Sequence, residues 1–171
     1  MHDLIAAWEE LRGVLKLYSK ALASLNPPCP ADTIRKVEQN LTFDLPEPLR
    51  TLLKLNNGQT PDSPGIFKSI SGWNLYSRHT FLDAESVIVA YKAFLRDENL
   101  REEFGDQEIP FSVAGKPNHY KEIFSIHRQT GKVSLIWTLY DPLLPSFWQT
   151  SRLARGNNLS EFLRRQIDLY L

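Results

Sequence analysis

The sequence predicts a single α+β domain: helices first, an antiparallel-rich sheet in the middle, one helix to close. Three observations predict it. Apolar residues recur at helical spacing from Leu4 to Leu25. Val133, Leu135, Trp137 and Leu139 alternate with Ser134, Ile136, Thr138 and Tyr140 beside a Gln129-Thr130-Gly131 turn. A last amphipathic segment follows Asn158. The chain of 171 residues, 42% hydrophobic and 23% charged, can fill one core without a metal or disulfide staple. No repeat, low-complexity tract or linker divides it. Residues 1–171 are therefore expected to form one domain, with an amphipathic helix over 1–26 and the core over 27–171.

Leu4, Trp8, Leu11, Leu15, Tyr18, Leu22 and Leu25 paint one stripe along that first helix. Pro27, Pro28 and Pro30 end it, because proline lacks a backbone donor and restricts the residue before it. A second helix is expected near Asp32 as N-cap, burying Ile34, Val37 and Leu41. Leu45-Pro46-Glu47-Pro48 opens a third, with proline in the first turn, and Asn56-Asn57-Gly58 stops it. Residues 60–80 read as a loop and then short strand material. Asp83 caps a helix reaching about Arg96, with Val87, Tyr91 and Phe94 on one face. Residues 97–108 read as a polar, acidic segment. Ile109 to Val113, Tyr120 to Arg128 and Lys132 to Leu139 form the β half, and Phe147-Trp148-Gln149 suggests one more strand. Asn158 caps the closing helix, lined by Leu159, Leu163, Ile167 and Tyr170.

Twenty basic and twenty acidic residues cancel. No net field draws the chain to nucleic acid or an anionic membrane. No apolar run approaches the roughly 18 residues of a membrane span, and the first residues do not read as a leader. The single Cys29, among prolines, has no acid–base partner close in sequence and reads as inert. The expected setting is the cytoplasm, with no membrane and no nucleic-acid partner. The expected state is a monomer or weak homodimer.

No catalytic motif stands out. The chain has neither a Gly-rich phosphate loop nor a Gly-x-Ser-x-Gly elbow, and its four histidines lack metal-binding spacing. No cofactor, metal or catalytic residue is expected. His79 with nearby Asp83 and Glu85 is the weakest alternative, an acid–base group; acids gathered at a helix N-terminus explain the same pattern. The uneven charge says more. Residues 83–108 hold eight acids against Lys92, Arg96 and Arg101. Asp97, Glu98, Glu102, Glu103, Asp106 and Glu108 are candidate partner-binding residues, since an acidic face steers a basic partner. Trp73, Tyr76 and Trp148, placed among loops and turns, are candidate aromatic anchors.

One stretch adds a family resemblance. Ser24-Leu25-Asn26-Pro27-Pro28, Ala31-Asp32-Thr33-Ile34, Val37-Glu38, Leu45-Pro46, Leu49-Arg50 and Asn57-Gly58-Gln59 together resemble the opening of the SUKH superfamily. Ile109-Pro110-Phe111 and Leu159-Ser160-Glu161-Phe162-Leu163 are similar to its later strand and closing helix. That superfamily includes fungal cell-wall assembly regulators and bacterial immunity proteins. The resemblance implies a non-enzymatic protein-binding module, most readily an immunity protein that neutralises a cognate toxin, such as a basic nuclease-type domain. The alternative it leaves is a regulatory scaffold in signalling or cell-wall synthesis.

Overall fold

The computed structural model describes residues 2–70, 76–140 and 148–171, without the side chains of residues 76, 120, 121, 138–140 and 148–151. The apolar stripe forms α1 (His2–Leu15), which buries Leu4, Trp8, Leu11 and Leu15. The stripe does not run on as one helix. Lys16, Leu17 and Tyr18 each bond a carbonyl three residues back, which tightens and ends the helix, and α2 (Ser19–Ala23) starts afresh. The turn leaves Leu17 79% exposed and lets Tyr18 pack edge-on against Tyr170 at 4.9 Å.

Next come α3 (Ala31–Leu41) and α4 (Glu47–Leu55). Pro30, not Asp32, occupies the cap position of α3. Asp32 sits in its first turn and pairs with Arg35 at 3.2 Å. Beyond α4 the chain turns at Gly58, whose φ of +67° suits glycine. A Cβ there would also lie 2.2 Å from the Asp83 amide nitrogen, so the backbone crossing itself demands glycine.

The sheet contains β1 (Phe67–Ile70), β2 (Tyr76–Phe81), β3 (Glu108–Lys116), β4 (His119–His127), β5 (Val133–Tyr140) and β6 (Trp148–Gly156). All neighbours are antiparallel, in the order β1-β2-β3-β4-β5-β6. Two helices, α5 (Ala84–Arg96) and α6 (Glu98–Phe104), separate β2 from β3, and α7 (Leu159–Asp168) closes the chain. The sheet curls until its two edge strands approach each other: Arg155 Nη2 of β6 donates to the Ile70 carbonyl of β1 at 2.9 Å. As expected, Asp83 caps α5 by accepting from Ser86 N–H, and Asn158 caps α7 by accepting from Glu161 N–H.

Two further elements differ from the sequence reading. The acidic 97–108 segment contains a helix, α6, and the last strand runs on to Gly156. Inside the curl, Phe67, Phe111 and Phe124 converge on Phe162 of α7, at 5.2 Å, 5.6 Å and 4.8 Å, and Phe81 packs on Phe67 at 5.8 Å. On the same side Trp8 meets Phe81 at 5.8 Å, and its indole N–H donates to Asn56 Oδ1 at 3.1 Å. Phe162 thus holds α7 in the sheet. Phe162→Ala should cost about 3–5 kcal/mol and lower the urea midpoint accordingly, whereas Phe162→Leu should cost clearly less.

Candidate functional site

The polar residues divide into those tied up inside and those left facing solvent. Glu108 belongs to the first group. It is 1% exposed, accepts from Ser125 Oγ at 2.6 Å and pairs with Arg152 Nη2 at 2.6 Å. Arg152 Nε also donates to Ser134 Oγ at 2.9 Å. The neighbouring strand β4 and the more distant β6 thereby supply partners for the buried carboxylate. The Arg152 guanidinium lies 5.8 Å from the Phe104 ring, so this network also seats α6 on the sheet.

The acids of α6 belong to the second group. Asp97 caps the helix, accepting from Leu100 N–H at 3.2 Å, and Gly105 with φ of +66° ends it. Leu100 is buried and Phe104 faces Phe94 at 6.4 Å. Glu98, Glu102 and Glu103 are left exposed and make no ion pair among the described residues. Asp106 is exposed beside them, 3.8 Å from Arg128. The structure therefore leaves Glu98, Glu102 and Glu103 exposed on the ridge formed by α6 and Asp106 exposed just past its end, uses Asp97 as the cap at its start and buries Glu108. Trp73 lies outside the described residues. Tyr76 and Trp148 lie on β2 and β6, but their side chains are outside the described set.

His79 does not meet Asp83 or Glu85. Asp83 caps α5, and Glu85 is exposed. The imidazole is 0% exposed within the curl, 4.5 Å from the Phe124 ring centroid. Its Nε2 lies 2.9 Å from Ser69 Oγ and 3.2 Å from Glu122 Oε2, and Ser69 Oγ donates to the same carboxylate at 3.0 Å. These residue types suggest a nucleophile–base–acid relay, but the geometry is wrong for one. In a relay the imidazole links acid and nucleophile through opposite nitrogens. Here both partners crowd Nε2, while Nδ1 is buried without a partner among the described residues. Ser69 and Glu122 carried no sequence signal, because the curl alone brings β1, β2 and β4 together around His79. Cys29 is buried, and burial, then the Asp83 and Glu85 charges, push its thiol pKa up, away from reactivity.

Open concave surface lies elsewhere. A cavity of about 290 Å³ opens between Gln59, Pro61, Asp62, Thr80, Lys116 and Asn118. Among the described residues no three His, Cys, Asp or Glu side chains are grouped to hold a metal ion, and no helix is long and apolar enough to cross a membrane.

The SMI1 / KNR4 family (SUKH-1) model matches residues 28–165, most of the chain. The chain belongs to the SUKH-1 family. No curated protein matches it. Membership makes the chain, in general terms, a protein-binding or immunity-type module. The SUKH-1 match begins at Pro28 and so leaves out α1 and α2. Yet Trp8 of α1 is buried and bonded to Asn56 within the matched region, so α1 is an integral part of this member's core.

Burial disfavours charge on His79 and lowers its pKa below 6.5, outweighing the pull of Glu122. Burial acts to raise Glu122, but hydrogen bonds from His79 and Ser69 prevail and hold it below 4.5. Both folded-state values are depressed. The stability each contributes is therefore present above its unfolded value and lost as pH falls. The melting temperature should hold above neutrality, decline below about pH 6.5 as unfolded His79 gains a proton, and decline again below about pH 4.5. Glu122→Gln should flatten the second decline and steepen the first; an unchanged melting-temperature profile would contradict this account of the pair.

Proposed function

We propose that this SUKH-1 protein is an immunity protein that binds and neutralises a cognate bacterial toxin in the cytoplasm, with no chemistry of its own. The observation that carries the reading is the α6 ridge. A short helix is capped at Asp97, pinned by Leu100 and Phe104, and backed by the Glu108–Arg152 network. It holds Glu98, Glu102 and Glu103 toward solvent with no ion-pair partner among the described residues. Such a fixed array of like charge suits a basic partner, of which a nuclease-type toxin is the obvious class. It would orient the encounter and speed association more than it would deepen affinity. Trp73, Tyr76 and Trp148 complete the proposal as aromatic anchors.

Two experiments test it. Co-expression with the product of the neighbouring gene should rescue cells from that product. A harmless neighbour, or one equally lethal with and without this protein, removes the immunity reading. Within a rescuing pair, Glu98→Lys combined with Glu102→Lys and Glu103→Lys should slow association by about tenfold or more at low salt, and by much less at high salt. An unchanged association rate would make the ridge a merely solvated helix face.

A further inference from the structure

Beyond the acidic ridge, a second feature marks the mouth of the curled sheet. Where β1 approaches β6, a cleft of about 260 Å³ opens, lined by Lys68 and Ile70 of β1, Arg155 of β6, and Phe162, Arg165 and Leu169 near α7. Three cations and an exposed apolar rim meet there. Ile70 is 49% and Leu169 38% exposed, two of the few large apolar side chains so exposed among the described residues.

The charges in the cleft are unequally satisfied. Lys68 donates to the Leu169 carbonyl at 2.9 Å and lies 3.5 Å from the Tyr170 ring centroid. Arg165 pairs with Glu161 at 2.6 Å but remains 54% exposed. Arg155 makes no ion pair among the described residues; its bond is to the neutral Ile70 carbonyl. A guanidinium has five donors, and among the described residues only one of Arg155's groups, Nη2, is seen to donate. The nearby acids are engaged or peripheral. Glu122 is held by His79 and Ser69, Glu161 by Arg165 and Asn157, and Asp168 is exposed on the cleft wall. Burial and then Arg165 lower the pKa of Arg155, with Glu122 opposing, so two cations are held against their mutual repulsion. An oxyanion between them would relieve that repulsion and pair with the guanidinium in the bidentate manner it favours.

We propose that this cleft binds an oxyanion, a carboxylate or a phosphate, carried on an apolar body, with Arg155 and Arg165 as its ligands and Ile70 and Leu169 covering the apolar part. The site is separate from the acidic ridge and does not depend on the immunity reading. The test is an amide-resolved NMR titration of the full chain at low salt with inorganic phosphate, acetate and hexanoate, and with hexylammonium as the charge-reversed control. The anions should move the amides of Ser69, Ile70, Arg155 and Leu169. Hexanoate should bind about tenfold tighter than acetate, because its methylenes leave water. A tighter fit for phosphate than for hexanoate would assign a phosphorylated ligand, and the reverse a carboxylate.

Arg155→Gln and Arg165→Gln should each weaken anion binding by about tenfold. Arg155 also bridges β6 to β1, so its variant is read beside a melting curve. Arg165 is more exposed and leaves that bridge intact, so its variant decides the matter if the first unfolds. The proposal is overturned if no anion moves these amides below about 10 mM. It is equally overturned if hexylammonium moves them as strongly, or if the folded variants bind like the parent.

Discussion

Gln59 is 2% exposed and uses both ends of its amide inside the protein. Its Nε2 donates to Ser24 Oγ at 2.7 Å and to the Pro64 carbonyl at 2.9 Å, while Oε1 accepts from Phe81 N–H at 2.9 Å and Ile66 N–H at 3.2 Å. Its own N–H donates to the Phe81 carbonyl at 2.8 Å, and Leu25 bridges to it from the helical side. One side chain thus ties the end of α2, the 60–65 loop, the entry to β1 and the end of β2. A buried amide satisfied this completely is rigid, and one left half-satisfied would cost more than an apolar substitute. The position of β1 and β2, and hence the burial of His79 and the cleft beside Ile70, follows from that joint. Gly58 makes it possible, since only a residue without a Cβ can pass so close to Asp83.

The same device recurs at the sheet edge. Gln166 of α7 accepts from Lys68 N–H at 2.7 Å and donates to the Lys68 carbonyl at 3.1 Å, standing in for the strand that β1 lacks. An uncovered strand edge is a template for unwanted pairing, and a helix-borne amide removes it. With Glu108 held by Ser125 and Arg152, these bonds leave the interior with its main polar demands met by fixed partners. The charged groups that folding leaves exposed without an ion pair among the described residues include the α6 glutamates Glu98, Glu102 and Glu103.

This division explains which parts the sequence announced. Local signals were legible: the α1 stripe, the Asp83 and Asn158 caps, the glycine exit after α4 and the alternation of β5 all depend on neighbours within a few residues. The helix α6 was not, because Glu98-Asn99-Leu100-Arg101-Glu102-Glu103-Phe104 offers only Leu100 and Phe104 to the core, and acidity masked its cap. The full length of β6 was hidden in the same way. Arg152 and Arg155 look like solvent residues until Glu108 and the Ile70 carbonyl, 44 and 85 positions away, are placed beside them. Glu108 looked like one more surface acid for that reason. The acid run itself was visible, but which of its members face solvent depended on pairings far apart in the chain.

A zero net charge makes those leftover groups more selective. Exposed charges more than about 8–10 Å apart are largely screened at physiological salt. With zero net charge, what an approaching molecule feels is the local patch it faces rather than the whole protein. The acids sit on a capped helix fixed to the sheet, and the Arg155 guanidinium is held where β6 meets β1, so the two charges occupy set positions on one rigid frame. A ligand presenting its charge in another spacing must strip water from these groups without replacement. Specificity of that kind follows from how firmly Gln59, Gln166 and Glu108 hold the frame, more than from the number of charges it displays.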